Sequence, residues 1–164
     1  MDRRQIAMKL VVEALGIEFN ISTFNDRLIL HKAIYLAQAG GVDLGYHYRW
    51  YLRGPYSPTL TRDAYAVDLE LVGGGEDDSK GWVLHDTWRE KLNGLSSLLA
   101  ADTKADRADR AELLASVHFL VATKQIAERE PGKIRDRLEE FGKDFAEEEV
   151  ASALRGLKEH DLLC

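Results

Sequence analysis

Residues 46–60 have the sequence YHYRWYLRGPYSPTL, which combines a strand pattern, a turn and the start of a helix. Between Tyr46 and Leu52, large apolar side chains occupy every second position, which predicts an aromatic-rich β-strand. Gly54-Pro55 predicts a turn, and Ser57 followed by Pro58 predicts a helix with Ser57 as its N-cap. The positions on the opposite face of the strand are His47, Arg49, Tyr51 and Arg53.

Amphipathic helices are predicted on either side of this segment. The first covers residues 3–15, and the second covers residues 24–38 after an N-cap at Thr23, with Asp26 at the capping-box position. Because the second helix is apolar on nearly all sides, we expect it at the centre of the core. The helix that begins at Pro58 has apolar residues at helical spacing, namely Leu60, Ala64, Val67 and Leu71.

In the second half of the chain, the sequence predicts one short strand and further helices. Trp82–Leu84 is predicted to pair with Leu69–Val72 as a hairpin, with the polar segment Gly73–Gly81 as its solvated tip. Residues 100–110 are charged and poor in large apolar side chains, so they are predicted to join two units. The predicted helices cover 86–99, 109–124, 131–141 and the residues after an Asp144 N-cap.

These elements together predict an α+β fold that is predominantly α-helical. Residues 1–100 form a winged-helix-like unit with a small β-sheet, in which the Pro58 helix would be the recognition helix. Residues 105–164 form a C-terminal helical unit of helix-turn-helix outline that packs on the first. Three glutamates, Glu147–Glu149, begin the last helix and would repel phosphate, so we expect this unit to be structural or to contact protein.

Composition and charge limit the classes of function. The chain has 164 residues, 45% of them apolar, and a net charge of −6. Residues 1–62 carry eight Lys/Arg against five Asp/Glu, a balance of +3, and residues 63–164 carry the remaining −9. An acidic protein is unsuited to broad, nonspecific nucleic-acid binding, although a local basic face in the first half remains compatible with DNA contact.

The same composition predicts a cytoplasmic protein of a prokaryote-like cell. No apolar run is long enough to span a bilayer, and no secretory h-region follows Met1. The only cysteine is Cys164, so neither an intramolecular disulfide nor a cysteine metal cluster can form within the chain.

Two short motifs carry a resemblance to known proteins. Lys32-Ala-Ile-Tyr-Leu36 and Gly54-Pro-Tyr-Ser-Pro-Thr-Leu60 give the layout K-x-x-Y-L … G-P-Y-S-x-x-L, which resembles that of the uncharacterised prokaryotic YwgA-like family. More distantly, the chain is similar to the Panacea domain of antitoxins and of phage- or defence-linked proteins, where Gly-Pro-Val is usual. The resemblance covers residues 28–72. It implies a winged-helix-like fold and a regulatory or toxin-neutralising role, and it implies no catalytic residues.

The main candidate site is the aromatic–arginine strand together with the helix start that follows it. Arg49 and Arg53 could hold a phosphate or carboxylate in forked geometry, while Tyr51 offers a stacking face. The helix N-terminus adds free amides and a positive dipole end. In the structural alternative, the aromatic rings belong to the core and the arginines are solvated or paired. The candidate partner-binding residues are Arg49, Tyr51, Arg53, Tyr56, Ser57, Thr59, Arg62 and Tyr65.

The sequence contains no catalytic motif and no His or Cys spacing typical of a metal site. We therefore expect no catalytic residue, no metal and no cofactor. The predicted function is a non-catalytic regulatory module that binds a protein or nucleic acid partner, with an antitoxin or defence role as the resemblance implies. One alternative is a homo-oligomeric scaffold assembled through the acidic C-terminal helices. Another is an enzyme acting on an anionic ligand near Arg49, Arg53 and Arg62.

Overall fold

The computed structural model describes residues 1–164, which form seven helices and one two-stranded sheet. This architecture confirms the predominantly α-helical α+β class. The elements in chain order are α1 (Arg3–Ala14), α2 (Phe24–Ala39), β1 (Arg49–Tyr51), β2 (Gly54–Tyr56), α3 (Pro58–Val72), α4 (Asp86–Leu99), α5 (Lys104–Ala122), α6 (Pro131–Glu140) and α7 (Glu147–Glu159).

Helices α2 and α5 pack against each other at the centre of the molecule. Residues 28–37 of α2 and 111–121 of α5 are buried without interruption, and their apolar side chains belong to a single hydrophobic cluster. A buried hydrogen bond of 2.7 Å between the Tyr35 hydroxyl and His118 Nδ1 joins the two helices. The segment 100–110, which was predicted to join two units, contains the start of α5 at Lys104, and α5 contributes to the shared core.

The sheet is a short antiparallel hairpin that pairs Arg49 with Tyr56 and Tyr51 with Gly54. The predicted strand over 46–52 is therefore too long at both ends. At Tyr46 the backbone N–H donates to Gln38 Oε1 and the carbonyl accepts from Gln38 Nε2, each at 2.9 Å. Because the Gln38 side chain satisfies the hydrogen-bonding groups of the Tyr46 backbone, this part of the chain needs no strand partner.

The predicted hairpin of 69–72 with 82–84 is wrong. Residues 69–72 are the last turn of α3, and 82–84 form no strand, so the sheet precedes the Pro58 helix. The segment Gly73–Gly81 is a mostly exposed loop as predicted, but it is not the tip of a hairpin. Asp77 lies 3.1 Å from Lys9 Nζ and Asp78 lies 2.5 Å from the Met1 amino group, so two of the loop carboxylates pair with cations of the N-terminal segment.

The C-terminal helices α6 and α7 pack on each other, and α7 also packs on α5. Asp144 is not the N-cap of the last helix, which begins instead after Ala146, whose N–H donates to Glu149 at 3.1 Å. None of the helices combines the length and the apolar character that a bilayer crossing requires.

Candidate functional site

A pocket of about 500 Å³ lies between the start of α2, the tip of the β1–β2 hairpin and the exposed side of α3. The structure brings these three segments together although they are separated in sequence. Most of the lining is apolar, and it consists of Ile21, Phe24, Leu28, Leu30, Tyr51, Leu52, Tyr56, Ala64 and Tyr65. The remaining lining residues are Arg27, His31, Lys32, Arg53, Gly54 and Thr61.

Helix caps set the positions of two pocket walls. Thr23 accepts from the Asp26 N–H at 3.1 Å and so starts α2 at Phe24, which stands on the first turn and is half exposed. Ser57 Oγ accepts from the Leu60 N–H at 3.4 Å and so starts α3 at Pro58. Both caps agree with the sequence prediction. The first turns of α2 and α3 thereby carry side chains towards the same pocket.

His31 anchors the hairpin to α2 at the pocket wall. Its ring stacks on Tyr56 with centroids 4.7 Å apart, and its Nε2 donates to the Ser57 carbonyl at 3.0 Å. Thr61 Oγ1 donates to the Tyr56 hydroxyl at 2.8 Å. Burial lowers the pKa of His31 to about 4, so its ring is neutral at neutral pH.

Lys32 lies beneath the hairpin, where its Nζ donates to the Pro55 carbonyl at 2.6 Å. Burial, with a smaller contribution from the charge of Lys143, lowers the pKa of Lys32 to about 7. Ser116 Oγ is close by, since a Cβ added to Gly54 would lie 2.5 Å from it and 3.6 Å from Lys32 Nζ. This hydroxyl is buried and has no hydrogen-bond partner.

Arg53 brings an exposed positive charge to the pocket mouth. Its side chain is 61% exposed, and its guanidinium carbon lies 5.4 Å from the centre of the Phe24 ring. The nearest carboxylate, Glu112, is 3.9 Å away and already forms a buried ion pair with Lys143. One carboxylate therefore faces two cations, so Glu112 offsets the charge of Arg53 only in part.

No Asp or Glu lines the pocket, whereas Arg27, Lys32 and Arg53 do. The Arg27 guanidinium donates to the Ile21 carbonyl at 2.9 Å, so it also holds the loop before α2. The pocket is therefore apolar and positive on a protein whose net charge is −6. Such a lining favours a ligand that combines an apolar body with a negative group.

The structure places four of the eight predicted site residues in the pocket lining, namely Tyr51, Arg53, Tyr56 and Tyr65. Arg49 and Arg62 are exposed but lie outside the lining. Ser57 is fully buried as the α3 N-cap, and Thr59 is half-buried outside the pocket. Ser57 is therefore a structural residue, and a contact at Thr59 would not belong to this pocket.

The sequence prediction missed the contribution of α2. Arg27 and His31 are one helical turn apart on a mostly apolar helix, and this polar strip was the available signal. The pattern did not indicate that the strip would face the hairpin. Phe24, Lys32 and Thr61 carry no local signal of a site, because only the tertiary packing brings them together.

Comparisons with protein-family models, curated proteins and solved structures return no match for this chain. The resemblance to YwgA-like and Panacea-domain proteins therefore stays a prediction. No group of three or more His, Cys, Asp and Glu side chains is arranged to hold a metal ion.

Proposed function

We propose that this protein is a non-catalytic regulatory binding module whose contact surface is the pocket and its rim. The observation that carries the proposal is the combination of exposed apolar side chains with the exposed charge of Arg53, whose one nearby carboxylate, Glu112, is shared with Lys143. The rim is defined by Phe24, Tyr51, Leu52, Arg53 and Tyr65.

The rim exposes large apolar side chains that water solvates poorly. Leu52 is 75% exposed at the hairpin tip, and Phe24, Tyr51 and Tyr65 are each about half exposed. Exposed apolar groups clustered around a concavity are typical of interaction sites. Tyrosine and arginine are also the residue types that most often dominate binding energy in protein interfaces.

We propose that the partner is a protein. Most of the pocket wall is apolar, so a buried aliphatic or aromatic side chain would fit it better than a sugar-phosphate backbone would. The net charge of −6 opposes extended contact with nucleic acid. A partner segment with an apolar anchor beside an Asp or Glu would complement both the wall and Arg53. The resemblance to Panacea-domain proteins supports a toxin-neutralising or defence role for this contact.

Selection of peptides from a random display library would test the proposal directly. We expect the wild-type protein to enrich peptides with an aromatic or branched aliphatic residue next to an acidic one. Arg53→Gln and Leu52→Ser should each weaken binding of these peptides at least about tenfold. Arg155→Gln is the matched control, because Arg155 is exposed on α7 and no residue of α7 lines the pocket.

Labelled duplex and single-stranded DNA, assayed at low and moderate salt, cover the nucleic-acid alternative. Binding to DNA that is lost with Arg49→Gln or Arg62→Gln would assign the surface to nucleic acid and overturn the protein-partner proposal. Failure to enrich any peptide that discriminates wild type from Arg53→Gln would also overturn it. Thermal unfolding of each variant verifies that it is folded.

A further inference from the structure

The pocket is large enough for a small molecule. Its volume of about 500 Å³ falls within the range of roughly 300–1,000 Å³ that is typical of small-molecule sites. Such sites combine apolar walls with a few convergent polar groups. Here Phe24, Tyr51 and Tyr65 supply an aromatic wall, and the polar lining side chains are those of Arg27, His31, Lys32, Arg53 and Thr61.

The polar groups of the cavity are suited to a single negative charge. The guanidinium group of Arg53 is exposed at the mouth. The Tyr56 hydroxyl accepts from Thr61 at 2.8 Å, which leaves its own hydrogen available to donate. Lys32 adds an amine that is almost fully buried beneath the hairpin. No lining carboxylate opposes these groups.

Arg27 and Lys32 already donate to the carbonyls of Ile21 and Pro55, so the supply of remaining donors limits the kind of anion. A phosphate dianion needs many donors to replace its hydration shell, and its burial against a mainly apolar wall would be costly. A carboxylate has two oxygens and half that charge, so Arg53 and Tyr56 can satisfy it with charge-assisted and neutral hydrogen bonds. The apolar remainder of such a ligand would pack against the aromatic wall.

We propose that the pocket binds a small free carboxylic acid with an aromatic or aliphatic body, and that this acid competes with the partner protein. The inference rests on the proposed function, because the competing segment would enter the same pocket. The acid is then an effector that makes partner binding depend on its concentration. The carboxylate lies on the Arg53 side, and the apolar body occupies the space below Phe24 and Tyr65.

Calorimetry and amide-resolved NMR with phenylacetate, indoleacetate and octanoate test acid binding in the absence of any partner. Phenylacetamide is the neutral control, and inorganic phosphate is the control for a bare anion. We expect at least one acid to bind about tenfold or more tightly than phenylacetamide and phosphate do. Arg53→Gln should lose this preference and Tyr56→Phe should reduce it. Arg49→Gln, on the same hairpin but outside the pocket, should bind as wild type does.

The possible outcomes separate the two proposals. Binding of peptides selected by display without binding of any of the three acids would overturn the effector inference and leave the proposed function standing. Acid binding that depends on Arg53, without any selected peptide, would support the cavity as an acid site and overturn the protein-partner function. Equal binding of phenylacetate and phenylacetamide would overturn the charge assignment. If the protein binds both a selected peptide and one of the acids, a saturating concentration of the acid should raise the apparent Kd of the peptide.

Discussion

The ring of His31 in α2 stacks on the ring of Tyr56 in β2, with centroids 4.7 Å apart and planes 6° from parallel. The same histidine donates from Nε2 to the carbonyl of Ser57. One residue of α2 therefore holds both the last strand residue and the α3 N-cap in place. Because Tyr56 is a wall of the pocket, the shape of the pocket depends on His31 remaining stacked and neutral.

Acidification should destabilise the protein through His31. Burial lowers the pKa of His31 from 6.5 to about 4, so the unfolded state binds the proton more tightly than the folded state does. The contribution of the neutral His31 ring to the free energy of unfolding is therefore fully present above about pH 6.5. It falls by up to about 3 kcal/mol as the pH drops towards 4. Urea unfolding at pH 7 and pH 5 measures this loss.

His31→Gln is the control variant, because it keeps a hydrogen-bond donor and has no titration in this range. Its loss of stability between pH 7 and pH 5 should be clearly smaller than that of wild type. The remaining loss is expected from His118, whose pKa burial also lowers. Identical losses in the two proteins would contradict the assignment to His31.

A methyl group at position 54 should disrupt the floor of the hairpin. Gly54 has a φ of +94°, and its added Cβ would lie 2.5 Å from Ser116 Oγ. Gly54→Ala should therefore cost about 3 kcal/mol, from backbone strain and overlap together. Gly45→Ala is the matched control, because Gly45 has a φ of +80° and no atom near its added Cβ. It should cost only about 1 kcal/mol.

A double-mutant cycle with Ser116→Ala separates the two contributions at Gly54. Ser116 Oγ is buried without a partner, so its removal alone should be nearly neutral. In the Ser116→Ala background, Gly54→Ala should cost about as much as Gly45→Ala does. Chemical denaturation of the four proteins gives the coupling. Strict additivity would show that the overlap with Ser116 is absent.

Local signals in the sequence predicted the hairpin half of the site, and long-range contacts determined the rest. The caps at Thr23 and Ser57 depend on residues three positions apart, so the sequence alone indicates where α2 and α3 begin. The 73–81 loop is fixed instead by ion pairs to Met1 and Lys9, which lie about seventy residues away. No local sequence pattern predicts such long-range ion pairs.

The same distinction explains the buried charges below the pocket. Lys32 occupies an ordinary polar position within a helical sequence, and its burial follows from the hairpin that covers it. Glu112 and Lys143 form their buried pair between α5 and the segment before α7. A helical pattern predicts neither contact, because the two partners of each contact lie in different elements of the structure. The sequence therefore located Arg53 but not the charges beneath it.

Trp50 contributes to the core from the face of β1 opposite the pocket. Its ring lies 4.7 Å from Phe141 and 5.8 Å from Phe119, measured between centroids. Because the indole is only half-buried, Trp50→Ala should cost about 2–4 kcal/mol, less than removal of a fully buried ring. Tyr51→Ala, on the exposed face, should cost about 1 kcal/mol or less. Urea unfolding, monitored by far-ultraviolet circular dichroism, compares the stabilities of the two variants. Equal losses of stability would contradict this packing.

Raising the pH above neutrality should stabilise the protein through Lys32. Burial lowers the pKa of Lys32 from 10.5 to about 7, so between these values the unfolded state binds the proton and the folded state releases it. The free energy of unfolding should therefore rise with pH, by about 2 kcal/mol between pH 7 and pH 9. Denaturation at these two values, compared with Lys32→Met, measures the contribution.

The pH range is chosen so that other groups do not obscure Lys32. The buried hydroxyl groups of Tyr35, Tyr46 and Tyr48 have raised pKa values and would reverse the trend only above about pH 10. Lys143 also has a pKa lowered by burial, so Lys32→Met should retain a smaller rise. Parallel pH dependence in wild type and Lys32→Met would mean that the Lys32 amine keeps its proton beneath the hairpin. The pocket would then hold that positive charge throughout the neutral range, and acid binding should not weaken up to pH 9.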